Sequence, residues 1–335
     1  MARGGARGAA RSGRQFGWKA AVLAALAAIV LALFAGNIAF GSATIAKDTA
    51  FVIPQGSTLT SVAAKLEKDG LVSSGDGFLL RAKLLGGGKP VQAGEFQLTA
   101  DMGLGDILDA FQSGDVVRRF VTIPEGMPSI LVWERLMAED KLTGEIPVPV
   151  EGSVLPDTYD FEAGEARTAV LARMQAAMQN YLAEAWPKRA PGIAVDNIKD
   201  AVILASVVEK ETGQPSERRM VAGLYSNLVK KGMFLQADPT IIYPITKGKP
   251  LGRRIRQSEI AAINDYNTYS MPGLPKGPIT NPGRESIAAV LNPAKTEALY
   301  MVADGSGGHE FNVDYAGHQQ AVEKWYAQRR AKGEM

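Results

Sequence analysis

Two glutamates at the end of an apolar segment are the clearest candidates for chemistry in this 335-residue chain. Residues 197–208 are mostly apolar and predict a buried helix, with Glu209 and Glu211 in its last turn. The negative end of a helix dipole and apolar surroundings both disfavour an ionised carboxylate, which would suit a general acid near neutral pH. Periodicity does not choose between the two glutamates. From these residues alone, a solvated helix end is the simpler interpretation.

Three polar clusters follow this helix, at residues 236–240, 266–269 and 307–312. Their amides, hydroxyls and aromatic rings are the groups that bind sugars, because hydroxyls need hydrogen bonds and a flat ring covers an apolar sugar face. Asn and Asp are also ordinary turn residues. Each cluster alone is therefore weak evidence for a carbohydrate site.

Composition excludes several other kinds of site. The chain has no cysteine, so disulfides, thiolate catalysis and cysteine-ligated zinc are ruled out. Its two histidines, His309 and His318, have no dense ligand spacing around them, and we interpret them as one hydrogen-bonding and one surface histidine. We expect no metal and no cofactor. A net charge of +2 is too small to indicate nucleic acid as a partner.

The N-terminal region predicts a membrane anchor. Residues 20–40 carry no charge and follow a basic tail. A bilayer span needs about 20 apolar residues, whereas the apolar core of a cleaved signal peptide, the alternative, has about 7–15. The positive-inside rule then places residues 1–19 in the cytoplasm and the rest outside. The expected partner is a lipid bilayer crossed once, and the expected location is the cell inner (plasma) membrane.

The remaining chain predicts an α+β protein with two outer parts. Residues 51–56 and 121–126 each read as a strand and a Pro-Gly turn, followed by an amphipathic helix. Chance recurrence and duplication are both open explanations. Residues 47–118 then form a small βα module, and residues 119–335 form a larger α+β domain containing the polar clusters.

Seven short motifs, in order, resemble the endolytic murein transglycosylases, a YceG-like family. The resemblance extends from about residue 50 to 325. The motifs are ASVVEKET at 205–212, SER at 216–218, LQADPT at 235–240, YNTY at 266–269, GLP at 273–275, NPAK at 292–295 and VADGSGGH at 302–309, the last followed by Phe311 and Asn312. One departure is Leu228, at a position where the family usually has Arg.

The resemblance implies an activity and a set of site residues. A family member cleaves the β-1,4 bond between MurNAc and GlcNAc in nascent peptidoglycan glycan strands and leaves 1,6-anhydroMurNAc ends. The catalytic residue would be Glu211, the second glutamate of its motif. The small module would be LysM-like, and wall-synthesis proteins would be partners. The residues implied to bind substrate are Gln236, Asp238, Thr240, Tyr266, Asn267, Tyr269, His309 and Asn312.

Two other functions are compatible with the same residues. A muramidase would use water and a second carboxylate, for which Asp238 and Glu217 are the candidates. A non-catalytic, membrane-anchored wall-binding protein is the other alternative. Retention of both Glu209 and Glu211 argues against a dead site.

Overall fold

The computed structural model describes the backbone of residues 12–333 and the side chains of 18–31, 35–36 and 40–333. The chain divides into two compact units, Met1–Val117 and Arg118–Met335. Each unit combines helices with antiparallel two-stranded sheets. This is an α+β arrangement, as the sequence predicted.

The small unit contains one antiparallel pair of strands, and two helices lie between these strands in the chain. Strands β1 and β2 pair antiparallel, with Phe51 opposite Phe96. Phe111 stacks on Phe51 at 5.5 Å and meets the Phe96 ring edge-on at 4.8 Å, and all three rings are buried. The elements of this unit are α1 (Ser12–Phe40), β1 (Thr49–Ile53), α2 (Leu59–Lys68), α3 (Gly75–Leu85), β2 (Gly94–Leu98) and α4 (Leu104–Ser113).

The predicted transmembrane helix is wrong. Residues 20–40 do lie within helix α1. However, no helix among the described residues combines the length and the hydropathy that a bilayer crossing requires. Most of the predicted cytoplasmic tail, 1–19, lies outside the described side chains.

The large unit surrounds one deeply buried helix, α7. Residues 201–208 of α7 are all buried, and the helix packs on α8 and α11. Its elements are β3 (Arg118–Thr122), α5 (Ser129–Ala138), β4 (Thr158–Glu162), α6 (Arg167–Ala185), a 3₁₀ turn (Trp186–Lys188), α7 (Ile198–Glu211), α8 (Arg218–Lys230), α9 (Asp238–Thr246), α10 (Gln257–Ile260), α11 (Arg284–Leu291), β5 (Tyr300–Ala303), β6 (His309–Asn312) and α12 (Tyr315–Ala331).

A buried serine fixes α7 to the long loop that precedes α11. The Ser206 hydroxyl donates to the Ile203 carbonyl at 2.7 Å and accepts from the backbone N–H of Ile279 at 3.1 Å. Asn197 caps the start of α7 by accepting from the N–H of Asp200. With one end capped and its middle tied to the loop, α7 holds its last turn in a fixed position.

Candidate active site

Glu211 is the last residue of α7, and its side chain faces a cavity of about 360 Å³. The next residue, Thr212, leaves the helix in an extended conformation and is buried. Elements α8, α9, β5, β6 and α12 and the loops beside them supply the other walls. A carboxyl group at a helix terminus is thereby placed in a concave site.

Desolvation raises the pKa of Glu211 to about 7. That value includes two smaller effects, because a hydrogen bond from Tyr225 lowers the pKa and the negative charge of Asp238 raises it. Near neutral pH the group is therefore divided between its protonated and ionised forms. A carboxyl in this state can both give and take a proton, as a general acid and base must.

Tyr225 is the partner of Glu211 that sequence reasoning missed. It lies on α8, is 2% exposed and hydrogen-bonds the Glu211 side chain. Burial and the nearby Glu211 charge raise the pKa of Tyr225 well above its ordinary value, so its hydroxyl keeps its proton and donates. The available signal was a tyrosine inside an otherwise apolar helix face, since a buried phenol usually needs a polar partner.

Asp238 and Tyr269 form a second polar pair in the cavity wall. The Tyr269 hydroxyl donates to Asp238 Oδ1 at 2.7 Å, and both residues line the cavity with Glu211. Gln236 lines it too, and its backbone adopts φ +52°, a left-handed conformation that is rare outside glycine. The N–H of Gln236 is held by the Thr268 carbonyl at 3.2 Å.

Two of the predicted binding residues are buried supports and lie outside the cavity wall. The hydroxyls of Thr240 and Thr268 are 2.8 Å apart, and Thr268 also accepts from the Ala237 N–H. Asn267 donates to three carbonyls between residues 259 and 262 and accepts from the Tyr269 N–H at 3.0 Å. These bonds fix the segments that carry Asp238 and Tyr269.

Tyr266 and Asn312 are also absent from the described cavity wall. The Tyr266 ring packs on Tyr243 with their centroids 4.9 Å apart. Asn312 ends β6, and its buried Nδ2 has no hydrogen-bond partner among the described atoms. The structure therefore brings together Glu211, Gln236, Asp238, Tyr269 and His309, but not the other four predicted residues.

Both histidines of the chain line the cavity. His309 lies on β6, and its Nδ1 is 2.8 Å from Glu217 Oε2. His318 lies on α12 and stacks on Tyr300 with centroids 5.3 Å apart. The interpretation of His318 as a surface histidine missed this wall position, because α12 shows no buried face in its sequence pattern. Within the described part of the chain, no group of His, Asp and Glu side chains is arranged to hold a metal.

Glu209 faces away from this cavity. Its Oε2 accepts from the N–H of Gly283 at 2.9 Å, and Gly283 is the residue that caps the start of α11. A negative group at a helix start is favourable, since the helix dipole is positive there. The structure thus separates two glutamates that periodicity left equivalent.

The remaining residues of the cavity wall are mostly of apolar types. Leu228, the departure from the family pattern, lies in this wall and is buried. Sequence reasoning did not identify the apolar lining, because these residues are spread over three segments of the chain. They include Leu224, Met233, Phe234, Leu235, Leu299, Met301 and Val302.

Comparison with known proteins identifies relatives in the family that the sequence motifs resemble. The sequence profile of the YceG-like family matches residues 51–324. The endolytic murein transglycosylase of Bacillus subtilis (strain 168) is 27% identical over 312 residues, which cover 84% of this chain and 85% of that protein. The endolytic murein transglycosylase of Streptococcus pneumoniae (serotype 2, strain D39) is 28% identical over 317 residues, covering 80% and 56% respectively.

A solved structure shares the fold. The crystal structure of a yceG-like protein from Listeria monocytogenes superposes with a TM-score of 0.50 at 23% identity, covering 82% of this chain and 98% of that one. At this identity the likeness concerns the fold alone.

Proposed function

The chain belongs to the YceG-like family, and on that premise we propose that it is an endolytic murein transglycosylase, a lyase that cuts peptidoglycan glycan strands. The observation that carries the proposal is Glu211, which faces the cavity with a pKa of about 7. A single carboxyl that exchanges its proton near neutral pH is sufficient for this reaction, since the substrate supplies its own nucleophile.

In the first step, protonated Glu211 donates its proton to the oxygen that links MurNAc to GlcNAc. The bond from C1 of MurNAc to that oxygen breaks, and the GlcNAc product leaves with a hydroxyl. Positive charge develops on the MurNAc ring at this point. The carboxylates of Glu211 and Asp238, which line the same cavity, stabilise that charge electrostatically.

In the second step, Glu211 is a carboxylate and takes the proton of the 6-hydroxyl of the same MurNAc residue. The freed O6 bonds to C1 and closes the 1,6-anhydro ring. Glu211 is protonated again, and no water is consumed. The hydrogen bond from Tyr225 favours the carboxylate form that this step requires.

The muramidase alternative needs a second carboxylate to act on water. Of its two candidates, Glu217 uses both oxygens to hold His309, at 2.8 Å each. Asp238 lies in the cavity and accepts from Tyr269. The names of the relatives favour transglycosylase chemistry over hydrolysis and over a non-catalytic wall-binding role.

Paired glutamine variants test the role of Glu211. Glu211→Gln keeps the size of the side chain but cannot exchange a proton, so turnover of purified peptidoglycan should fall by roughly 10²-fold or more. Glu209→Gln is the matched control. Its amide oxygen can still accept from Gly283, so turnover should change far less.

Mass spectrometry of the wild-type products separates the two reactions. A transglycosylase leaves 1,6-anhydroMurNAc ends, one water lighter than the reducing ends that a muramidase leaves. Reducing ends would select hydrolysis. A Glu211→Gln variant with near wild-type turnover would remove Glu211 from the catalytic role.

The small unit is proposed to be LysM-like and to bind the wall, and the enzyme to act outside the cytoplasm, where glycan strands lie. The supporting feature is the separate apolar core of residues 1–117. Binding to purified sacculi should weaken when these residues are removed, while short soluble glycans are still cut. Unchanged sacculus binding would contradict this role. Association with wall-synthesis proteins stays a prediction.

A further inference from the structure

Both carboxylate oxygens of Glu217 contact His309. Oε1 accepts from the His309 backbone N–H at 2.8 Å, and Oε2 lies 2.8 Å from Nδ1 of the same residue. The two side chains are 19% and 20% exposed. A carboxylate that binds one residue at two points fixes both its backbone and its ring.

The adjacent glycine allows this close approach. A Cβ added to Gly308 would lie 2.4 Å from Glu217 Oε1, well inside contact distance. Asp304 Oδ1 accepts from the Gly308 N–H at 3.2 Å and from Ser306, so the turn before β6 is tied down as well. The loop before β6 therefore passes close to the Glu217 carboxylate, at a position where only glycine leaves room for it.

The contact determines which ring nitrogen carries hydrogen. A carboxylate can only accept, so Nδ1 of His309 must hold a hydrogen. In the neutral ring, Nε2 is then a bare acceptor. Among the described residues Nε2 has no hydrogen-bond partner, and the ring lines the Glu211 cavity.

We propose that Glu217 is a positioning residue, which holds His309 so that Nε2 accepts a hydrogen bond from a sugar hydroxyl of the glycan strand. This inference rests on the proposed function, because it assumes that glycan occupies the cavity. It also gives Glu217 a role that is distinct from that of a second catalytic carboxylate.

Glu217→Gln should change the tautomer of the neutral His309 ring. The amide oxygen of the variant can accept from the fixed His309 N–H, which leaves its NH₂ group facing Nδ1. Nδ1 must then accept, so the hydrogen moves to Nε2, which becomes a donor. Long-range ¹H–¹⁵N spectra report this tautomer directly. With only two histidines in the chain, His309→Gln assigns the signals.

The spectra are compared for the neutral ring, at the alkaline end of a pH titration. We expect the Nδ1–H form in the wild type and the Nε2–H form in Glu217→Gln. Glu310→Gln is the matched control, since Glu310 neighbours His309 on β6 but pairs with Lys324. It should leave the wild-type tautomer in place.

Kinetics on soluble glycan strands test the consequence. Glu217→Gln should lower kcat/KM about tenfold, the scale of one hydrogen bond, mainly through a higher KM. In a His309→Ala background the same substitution should cost almost nothing further, because Glu217 acts through His309. Additive losses would show that Glu217 acts independently of the ring and would overturn the proposal.

The tautomer measurement requires no catalysis and therefore separates two kinds of failure. An unchanged Nδ1–H tautomer in Glu217→Gln would overturn the positioning role even in an active enzyme. A reversed tautomer with unchanged kcat/KM would overturn the contact with substrate. Absence of any glycan cleavage by the wild type would instead contradict the proposed function.

Discussion

The interiors of the two compact units differ in kind. Among the described residues of the small unit, Glu95 is the one buried polar side chain, and the rest of its core is apolar. The large unit buries eleven polar residues beside its apolar core: Ser129, Ser206, Thr212, Arg218, Ser226, Thr240, Asn267, Thr268, Thr280, Asn281 and Ser286. The interior of the small unit is therefore almost entirely apolar, whereas the interior of the large unit also contains many polar side chains.

Apolar burial stabilises a fold but does not aim particular groups, because it has no direction. Buried hydrogen bonds are directional. A buried polar group costs stability unless it makes such a bond. In the large unit, the bonds of Asn267 and Thr268 hold the segments that bear Tyr269 and Asp238. Buried polar residues are therefore the signature of the unit that positions a site.

The repeated strand–turn–helix unit shows the same contrast locally. Both predicted copies form, and their turns end in glycines with φ +80° at Gly56 and +71° at Gly126. A Cβ at Gly56 would meet open space, whereas one at Gly126 would touch the Glu209 side chain. The second copy lies beside the end of α7, within its own unit.

The largest effect should come from the apolar core of the small unit. Phe111→Ala removes a buried ring that contacts Phe51 and Phe96, and should destabilise this unit by about 3–5 kcal/mol. Hydrogen exchange of amides in residues 49–111 measures the loss. Turnover of short soluble glycans should not change. A parallel fall in turnover would break the proposed division between a stabilising core and a catalytic one.

A smaller effect of opposite sign is expected at Glu211. Its pKa of about 7 exceeds the usual value of about 4.3 for the unfolded chain, so the folded state binds the extra proton between these pH values. Wild-type stability should therefore fall as pH rises from about 4 to 8. Glu211→Gln lacks this loss and should be more stable at pH 8, by up to about 3 kcal/mol.

Urea denaturation of both proteins at pH 4 and pH 8 measures this difference. The stability gain of Glu211→Gln should appear at pH 8 and be small at pH 4. An equal gain at both pH values would mean that it has another cause. Lower stability of the variant at pH 8 would contradict the conclusion that desolvation raises the pKa of Glu211.

The smallest effects should be shifts of the pH–rate profile. The negative charge of Asp238 raises the pKa of Glu211, and the hydrogen bond from Tyr225 lowers it. Asp238→Asn should therefore move the alkaline limb of kcat/KM to lower pH, and Tyr225→Phe should move it to higher pH. The pH of half-maximal rate is the measurement, since both variants also alter the cavity. Shifts in the same direction would contradict this arrangement.

Part of the site could be predicted, and the limits have physical causes. The motif around Glu211 and the polar segments 236–240 and 307–312 were identified from sequence, and each supplies residues to the cavity. Thr240 and Asn267 are expected from the resemblance to bind substrate, and the structure shows them buried and hydrogen-bonded within the protein. A threonine or asparagine in a motif reads the same whether its polar group faces a ligand or a backbone carbonyl.

By itself, the sequence determined the α+β class, both strand–turn–helix units, the buried helix α7 and the position of two glutamates in its last turn. These features depend on local periodicity, turn residues and composition. Local periodicity left the two glutamates equivalent, and the family resemblance indicated Glu211. Only the tertiary structure gave them different surroundings, since they lie two residues apart and project from different sides of the helix. Contacts from α8, α9 and the loop before α11 place Glu209 at the start of α11 and Glu211 beside Tyr225. Those contacts join residues far apart in the chain, where local patterns carry no information.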